Sequence, residues 1–297
     1  MPELPKDAVI KAYVVQGQFP RMALPDLATL GGCSNSQGWP GRADARPVTH
    51  EPCIANVILG RDRTIMLDTG HYALWYSLSG QLDAVLQGRP LDYVFVSHQE
   101  IPHTGNLGRL LKKYPGCKAV GDVRDYHIFH PEIALERLVQ MEHCDELDLG
   151  DRRIMFLDAI WKDLQTTLWA YDTRLKLIFS ADTFGYIHHA DENVCSTMLH
   201  EMPRELREAV TDRPALPFFG MRNRDQAARV AAFRNLMTKY PIEIITSGHT
   251  LPIMGPATQP AIDKLLAAIA NVEQLPRFLQ SGVPGHPPDG PEGGQLA

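Results

Sequence analysis

Short apolar runs that stop abruptly in polar clusters constrain this chain more than any other feature. LDTGH at 67–71, SHQEIPH at 97–103, FSADTFG at 179–185 and TSGHT at 246–250 each close a bounded run rich in β-branched and aromatic residues. Runs of that length, fenced by turn residues, read as buried strands. The ends of such strands face one edge of a sheet, and loops held at such an edge by a rigid scaffold are where binding and catalytic groups gather.

The rest of the chain fills in around that pattern. AVIKAYVVQ at 8–16 reads as a strand, and CIANVILG at 53–60 with TIMLDTG at 64–70 as a hairpin pair. Between them, residues 19–52 are dense in Gly, Pro, Ser and Asn and are expected to form a long loop, long enough for a lid. Helical spacing covers Trp75 to Leu86, LGRLLKKY, Arg204 to Val210 and Arg224 to Tyr240, and HPEIALERLVQ is expected to be a helix opening at Pro131. YVFVS, CKAVGD and IEIITSGHT read as buried strands, and RRIMFLDAIW, TTLWAYD and KLIFSAD as three antiparallel ones. Strands and helices interleave without strict βαβ repetition, which places the chain in a mixed α/β class, with one domain over residues 1–281 and a disordered Gly/Pro-rich tail at 282–297.

Composition removes several function classes. The formal net charge is -6 with scattered Lys and Arg, so no basic stripe suits nucleic acid. No apolar run reaches the roughly 20 residues of a bilayer span, and the start lacks a leader pattern, so the expectation is a cytoplasmic protein without membrane contact. The five cysteines (Cys33, Cys53, Cys117, Cys144, Cys195) are widely spaced without a CxxC pair, arguing against a disulfide framework or a cysteine zinc knuckle.

The chemistry concentrates in the polar tips. His98, Glu100 and His103 offer two imidazoles and a carboxylate inside six residues, a metal-binding density that a solvated polar loop also produces by chance. Asp182 and His249 occupy the same strand-end position on distant segments. A carboxylate at the end of a core strand needs a partner, and a cation would satisfy it. Asp68 in the early turn is suited to orient a ligating imidazole. His188 and His189 follow FSADTFG closely enough to line the same pocket or to form an ordinary polar loop.

SHQEIPHTGNL, entered by YVFVS and followed by an amphipathic helix and YPGCKAV, resembles the signature loop of metallo-β-lactamase-fold proteins. It is most similar to the flavodiiron branch, where glutamate replaces the second histidine of H-x-H-x-D-H and both metals are iron; FSADTFG, TSGHT and LDTG match the later and earlier motifs. The resemblance covers roughly Cys53 to Pro252 and implies an αββα sandwich. It also implies that His98 and Glu100 hold one metal, that His103 and His249 hold the other, and that Asp182 bridges them. Carboxylate with imidazole suits iron or manganese, whereas a histidine-rich loop suits zinc. Two departures stand out: Pro102 replaces an aspartate ligand and Ile160 a histidine, leaving Asp158 and Asp163 as the nearest substitutes, each also an ordinary turn residue or cap.

Three functions follow as expectations. The first is a di-iron, O2-dependent oxidoreductase, in particular a monooxygenase of a small organic substrate. It would bind no flavin of its own and take electrons from an external partner; a homo-oligomer is left open. The second is a metal-dependent hydrolase of an ester, thioester or phosphodiester. The third is an O2-binding or sensing protein.

Overall fold

In the computed structural model, residues 13–14, 17–35, 48–215 and 225–272 are described. Among these, two sheets pack face to face. The first contains β1 (Tyr13–Val14), β2 (Arg21–Leu24), β3 (Leu27–Asn35), β4 (Thr49–Leu59), β5 (Thr64–Leu67), β6 (Tyr93–Phe95), β7 (Lys118–Gly121) and β8 (Leu138–Gln140). The second contains β9 (Glu146–Asp148), β10 (Arg153–Asp158), β11 (Leu168–Asp172) and β12 (Leu177–Phe179). The chain then returns to the first sheet as β13 (His188–His189), antiparallel to β4, and completes the second with β14 (Ile244–Ser247) and β15 (Thr250–Ile253). The β5–β6–β7–β8 half is parallel, and β10 to β12 form the expected antiparallel run, which β9 extends by pairing antiparallel with β10.

Period-two alternation divides the apolar residues among three cores. On β5, Ile65 and Leu67 face the second sheet and meet Phe95, Phe156 and Phe179, whereas Met66 faces outward. Outside the first sheet, Leu78 and Leu82 of the helix Trp75–Leu86 and Leu107 and Leu110 of the helix Leu107–Lys113 cover Met66 and Val94. Outside the second, the helices Arg204–Thr211, Ala227–Lys239 and Thr258–Ala270 close over Trp169, Ile178 and Ile245. The layering is helix, sheet, sheet, helix, the αββα sandwich expected.

Two expectations are corrected. The span 19–52 is not one long loop, since β2, β3 and the start of β4 lie within it; residues 36–47, and the tail at 282–297, lie outside the described residues. The glycines that read as loop signals have a packing role instead. Gly31, at φ +126, lies so close to the next strand that a Cβ would fall 2.4 Å from the Cys53 carbonyl oxygen. Its backbone N–H donates to Gln81 Oε1 (2.7 Å), and its carbonyl accepts from Gln81 Nε2 (3.1 Å), so a buried glutamine replaces the strand ladder there. Gly31→Ala is therefore expected to cost about 3 kcal/mol or more, combining left-handed strain with a backbone clash. Urea unfolding of the variant checks this, and a loss below about 1 kcal/mol would show that the two strands can move apart.

HPEIALERLVQ is likewise not a helix. It forms the short 3-10 turn Leu135–Arg137 and then β8, parallel to β7. The Arg137 guanidinium donates to the carbonyls of Leu111, Tyr114 and Cys117, holding the segment against the preceding turn, so long-range capping overrides local helical spacing.

Candidate metal centre

The carboxyl-end tips of β5, β6, β12 and β14 converge on one rim. Asp68 leaves β5 at φ 58 and Ala181 leaves β12 at φ 54, left-handed conformations that L-residues seldom adopt outside turns and constrained sites. Gly248 precedes His249 because nothing larger fits: a Cβ there would sit 2.8 Å from His103 Cε1. Pro102 is the second residue of the helical turn Ile101–Thr104, where its missing N–H has no intrahelical acceptor to lose, and that turn directs His103 inward.

The three imidazoles share one arrangement. His103 Nδ1 lies 2.6 Å from Asp68 Oδ2, His98 Nδ1 3.1 Å from Ser97 Oγ, and His249 Nδ1 2.9 Å from the Pro52 carbonyl oxygen. Each Nδ1 is engaged by an oxygen, which turns each Nε2 toward Asp182. Asp182 Oδ1 faces His103 Nε2 at 2.8 Å and His249 Nε2 at 3.3 Å, while Oδ2 faces His98 Nε2 at 3.3 Å. Around His98 Nε2 stand Glu100 Oε2 at 3.9 Å and Asp163 Oδ2 at 3.8 Å. The ring centroids of His98 and His103 are 4.0 Å apart, those of His103 and His249 5.6 Å.

Hydrogen bonding alone does not account for these contacts. His98 Nε2, His103 Nε2 and Asp182 Oδ1 are buried, and the last two, although 2.8 Å apart, are poorly aligned for a hydrogen bond. Buried polar atoms rarely stay unmatched. Lone pairs pointed at a common space, with second nitrogens already held by oxygens, are what a cation requires of imidazole ligands. The electrostatics agree. Burial pushes the His103 imidazole down, yet Asp182 and Asp68 outweigh it and raise it to about 10. His249, opposed by burial but faced by Glu51 and Asp182, rises to about 9. Burial, with Asp182 and Glu100 nearby, lifts the Asp163 carboxyl to about 6. The cluster holds surplus negative charge and binds protons tightly, as a site for cations does when it titrates without them. These residues fit a two-cation centre divided at Asp182.

Residues 52–249 match the family described as ODP family beta lactamase. The chain belongs to this family. ODP-family membership accounts for the layered fold, which is shared with solved structures: rubredoxin oxygen:oxidoreductase from Desulfovibrio gigas (TM-score 0.65, 17% identity, covering 84% of this chain and 61% of that one) and the flavodiiron protein from Giardia intestinalis (TM-score 0.65, 15% identity, 86% and 60%). Among curated proteins, the anaerobic nitric oxide reductase flavorubredoxin of Aliivibrio salmonicida is 26% identical over 144 residues, 46% of this chain and 28% of that protein. This ODP-family chain thus spans less than two thirds of the length of each.

The structure brings His98, Glu100, His103, Asp182 and His249 together, with Asp68 behind His103 and Asp163 beside His98. It does not bring in Asp158, which is exposed at the end of β10 and pairs with Lys162 at 3.3 Å, nor Ile160, which packs into the helix-side core. His188 and His189 lie on β13 beside β4; His188 faces Cys33 and His50 rather than this rim. Sequence reasoning passed over Ser97, Pro52 and Glu51, whose Oε1 is 3.3 Å from His249 Nδ1. Ser97 stands beside His98 and was within reach, but Glu51 and Pro52 lay inside the span expected to be a loop. Among the described residues, no helix is long and apolar enough to cross a membrane.

Proposed function

We propose that this rim holds two iron ions and that the chain reduces a diatomic gas, O2 or NO, with electrons from an external donor. The observation that carries the reading is the division of Asp182: Oδ1 serves His103 and His249, and Oδ2 serves His98. His98, Glu100 and Asp163 are then the ligands of one ion, His103 and His249 of the other, and Asp163 replaces a donor absent at Pro102 or Ile160. Ligand atoms about 2.1 Å from a shared ion lie roughly 3 to 4 Å apart, the spacing observed around His98. Three carboxylates against three imidazoles favour iron over zinc. Reduction is supported by relatives named for nitric oxide and oxygen reduction.

Two ferrous ions would supply electrons and open positions for the gas. The residues do the rest: Asp68, Ser97 and Pro52 fix the ring orientations, and Asp182 sets the separation of the two halves. Glu100, with its side chain 47% accessible, is the most solvent-exposed of these ligands and marks the side from which a small molecule would enter. An organic-substrate monooxygenase loses its lid argument, because β2, β3 and the start of β4 take up half of residues 19–52.

The anaerobic, iron-loaded chain with a chemical reductant is expected to carry about two irons and to consume O2 or NO without an organic substrate. Gas uptake that begins only when an organic substrate is added would restore the hydroxylase, reversible O2 binding without turnover would indicate a sensor, and ester hydrolysis by zinc-loaded protein would replace the proposal altogether.

A further inference from the structure

A second cluster of metal-type donors lies on the other side of β4. Cys33 of β3, His50 of β4, His188 of β13 and Cys195, beyond the short turn Ala190–Glu192, contribute one donor atom each, all within 4.8 Å of one another. Each residue is at most 2% exposed. Cys33 Sγ is 3.7 Å from His188 Nε2, and Cys195 Sγ is 3.2 Å from His50 Nδ1; the two imidazole rings meet edge to face with centroids 5.4 Å apart. We propose that these four residues form a tetrahedral Cys2His2 site for a zinc ion, separate from the carboxylate-rich rim.

Three features support a cation over a simple hydrogen-bonded cluster. His188 Nδ1 lies 2.9 Å from the His189 carbonyl oxygen, which can only accept. The proton therefore sits on Nδ1, and the Nε2 lone pair is directed at Cys33, the orientation in which a carbonyl prepares a ligating imidazole. Second, in a tetrahedron with metal–sulfur bonds of about 2.3 Å and metal–nitrogen bonds of about 2.0 Å, sulfur and nitrogen are separated by about 3.5 Å. The observed 3.2 and 3.7 Å bracket that edge. Third, two thiolates with two neutral imidazoles cancel the charge of a divalent ion, which makes the assembly tolerable in an interior that solvent does not reach. The sites also differ in hardness. Thiolates select zinc, and the rim, with carboxylates and no thiol, selects a harder ion.

The placement gives the ion a structural task. His188 and His50 are direct partners in the β13–β4 register, and Cys33 lies on the strand paired to the other edge of β4. A cation there ties three strands and the Cys195 loop together. The next two residues of β4, Glu51 and Pro52, supply the oxygens beside His249 Nδ1, so the ion also fixes the strand end that orients that imidazole.

The test uses the full chain, purified without chelator and analysed for all metals, with X-ray absorption at the zinc edge. The expected result is about one zinc per chain, in addition to any iron, with two sulfurs at about 2.3 Å and two nitrogens at about 2.0 Å. The Cys33→Ser/Cys195→Ser variant should lose that zinc, and Cys144→Ser, at an exposed thiol, should retain it. If the double variant does not fold, the absorption spectrum of the unaltered chain still decides. Zinc bound only by nitrogen and oxygen, or zinc-free protein with reduced or disulfide-linked Cys33 and Cys195, would overturn the assignment. Because the readout is sulfur-ligated zinc, an iron centre that proved inactive or absent would leave this result unchanged.

Discussion

Asp182→Asn is expected to remove both metals together. The carboxylate is 2% exposed and directs one oxygen at each half of the centre, so no single-metal form survives its loss. An asparagine can offer one carbonyl oxygen, and its amide nitrogen, a donor, would face the nitrogens of one half. The expected readouts are a fall from about two irons per chain to less than about 0.2 and a loss of gas reduction of roughly 1,000-fold or more. The variant separates ligand loss from misfolding through the chelated protein. There, His103 and His249, raised to about 10 and about 9 from an ordinary 6.5, bind protons more tightly when folded than when unfolded. Their contribution is complete below the unfolded value and is lost as pH rises through 9 and 10. Chelated parent protein should therefore lose stability between about pH 7 and 10, and chelated Asp182→Asn should lose much less over the same range. A variant that keeps one tightly bound iron would show that Asp182 is not shared.

How much of this was legible before the fold was known depends on how local each signal is. Asp68, His98, Asp182 and His249 mark strand ends because an apolar run stops and a polar residue follows, a pattern that needs no knowledge of distant neighbours. The partition among them was legible only through family resemblance, and Asp163 could not be chosen over Asp158: one ends β10 and the other stands five residues beyond it, and only the path of the loop distinguishes the one beside His98 from the one paired with Lys162. The expected loop at 19–52 failed for a different reason. Gly31 and Gly32 look like breakers, but glycine is needed at 31 because its φ is positive and the Cys53 carbonyl of the neighbouring strand leaves no room for a Cβ, a constraint that local sequence does not show. The Cys2His2 cluster carried no sequence spacing at all, because strand pairing, rather than a short motif, assembles it.

Asp68→Asn should remove one metal and weaken the other far less, by changing where a proton resides. Asparagine tolerates the left-handed backbone at this position, so the turn after β5 survives. Its side-chain oxygen can still accept from the Ser97 N–H, as Asp68 Oδ1 does at 2.8 Å. The amide nitrogen then takes the place of Oδ2, 2.6 Å from His103 Nδ1, and sets a donor against a donor. The ring escapes by moving its proton to Nε2, the atom that faces Asp182, and an imidazole protonated there cannot ligate. His98 is one step removed, since its Nδ1 rests on Ser97 Oγ, whose hydroxyl donates to Asp68 Oδ2 at 3.1 Å, so its half should lose less. Affinity at the His103–His249 half should fall by about 10- to 100-fold, leaving about one iron per chain and an uncoupled rather than spin-coupled signal in Mössbauer spectra. Ser97→Ala should weaken the opposite half, making the pair diagnostic. Equal loss of both irons in Asp68→Asn would mean that Asp68 supports the rim as a whole, and full retention would mean that His103 does not ligate through Nε2.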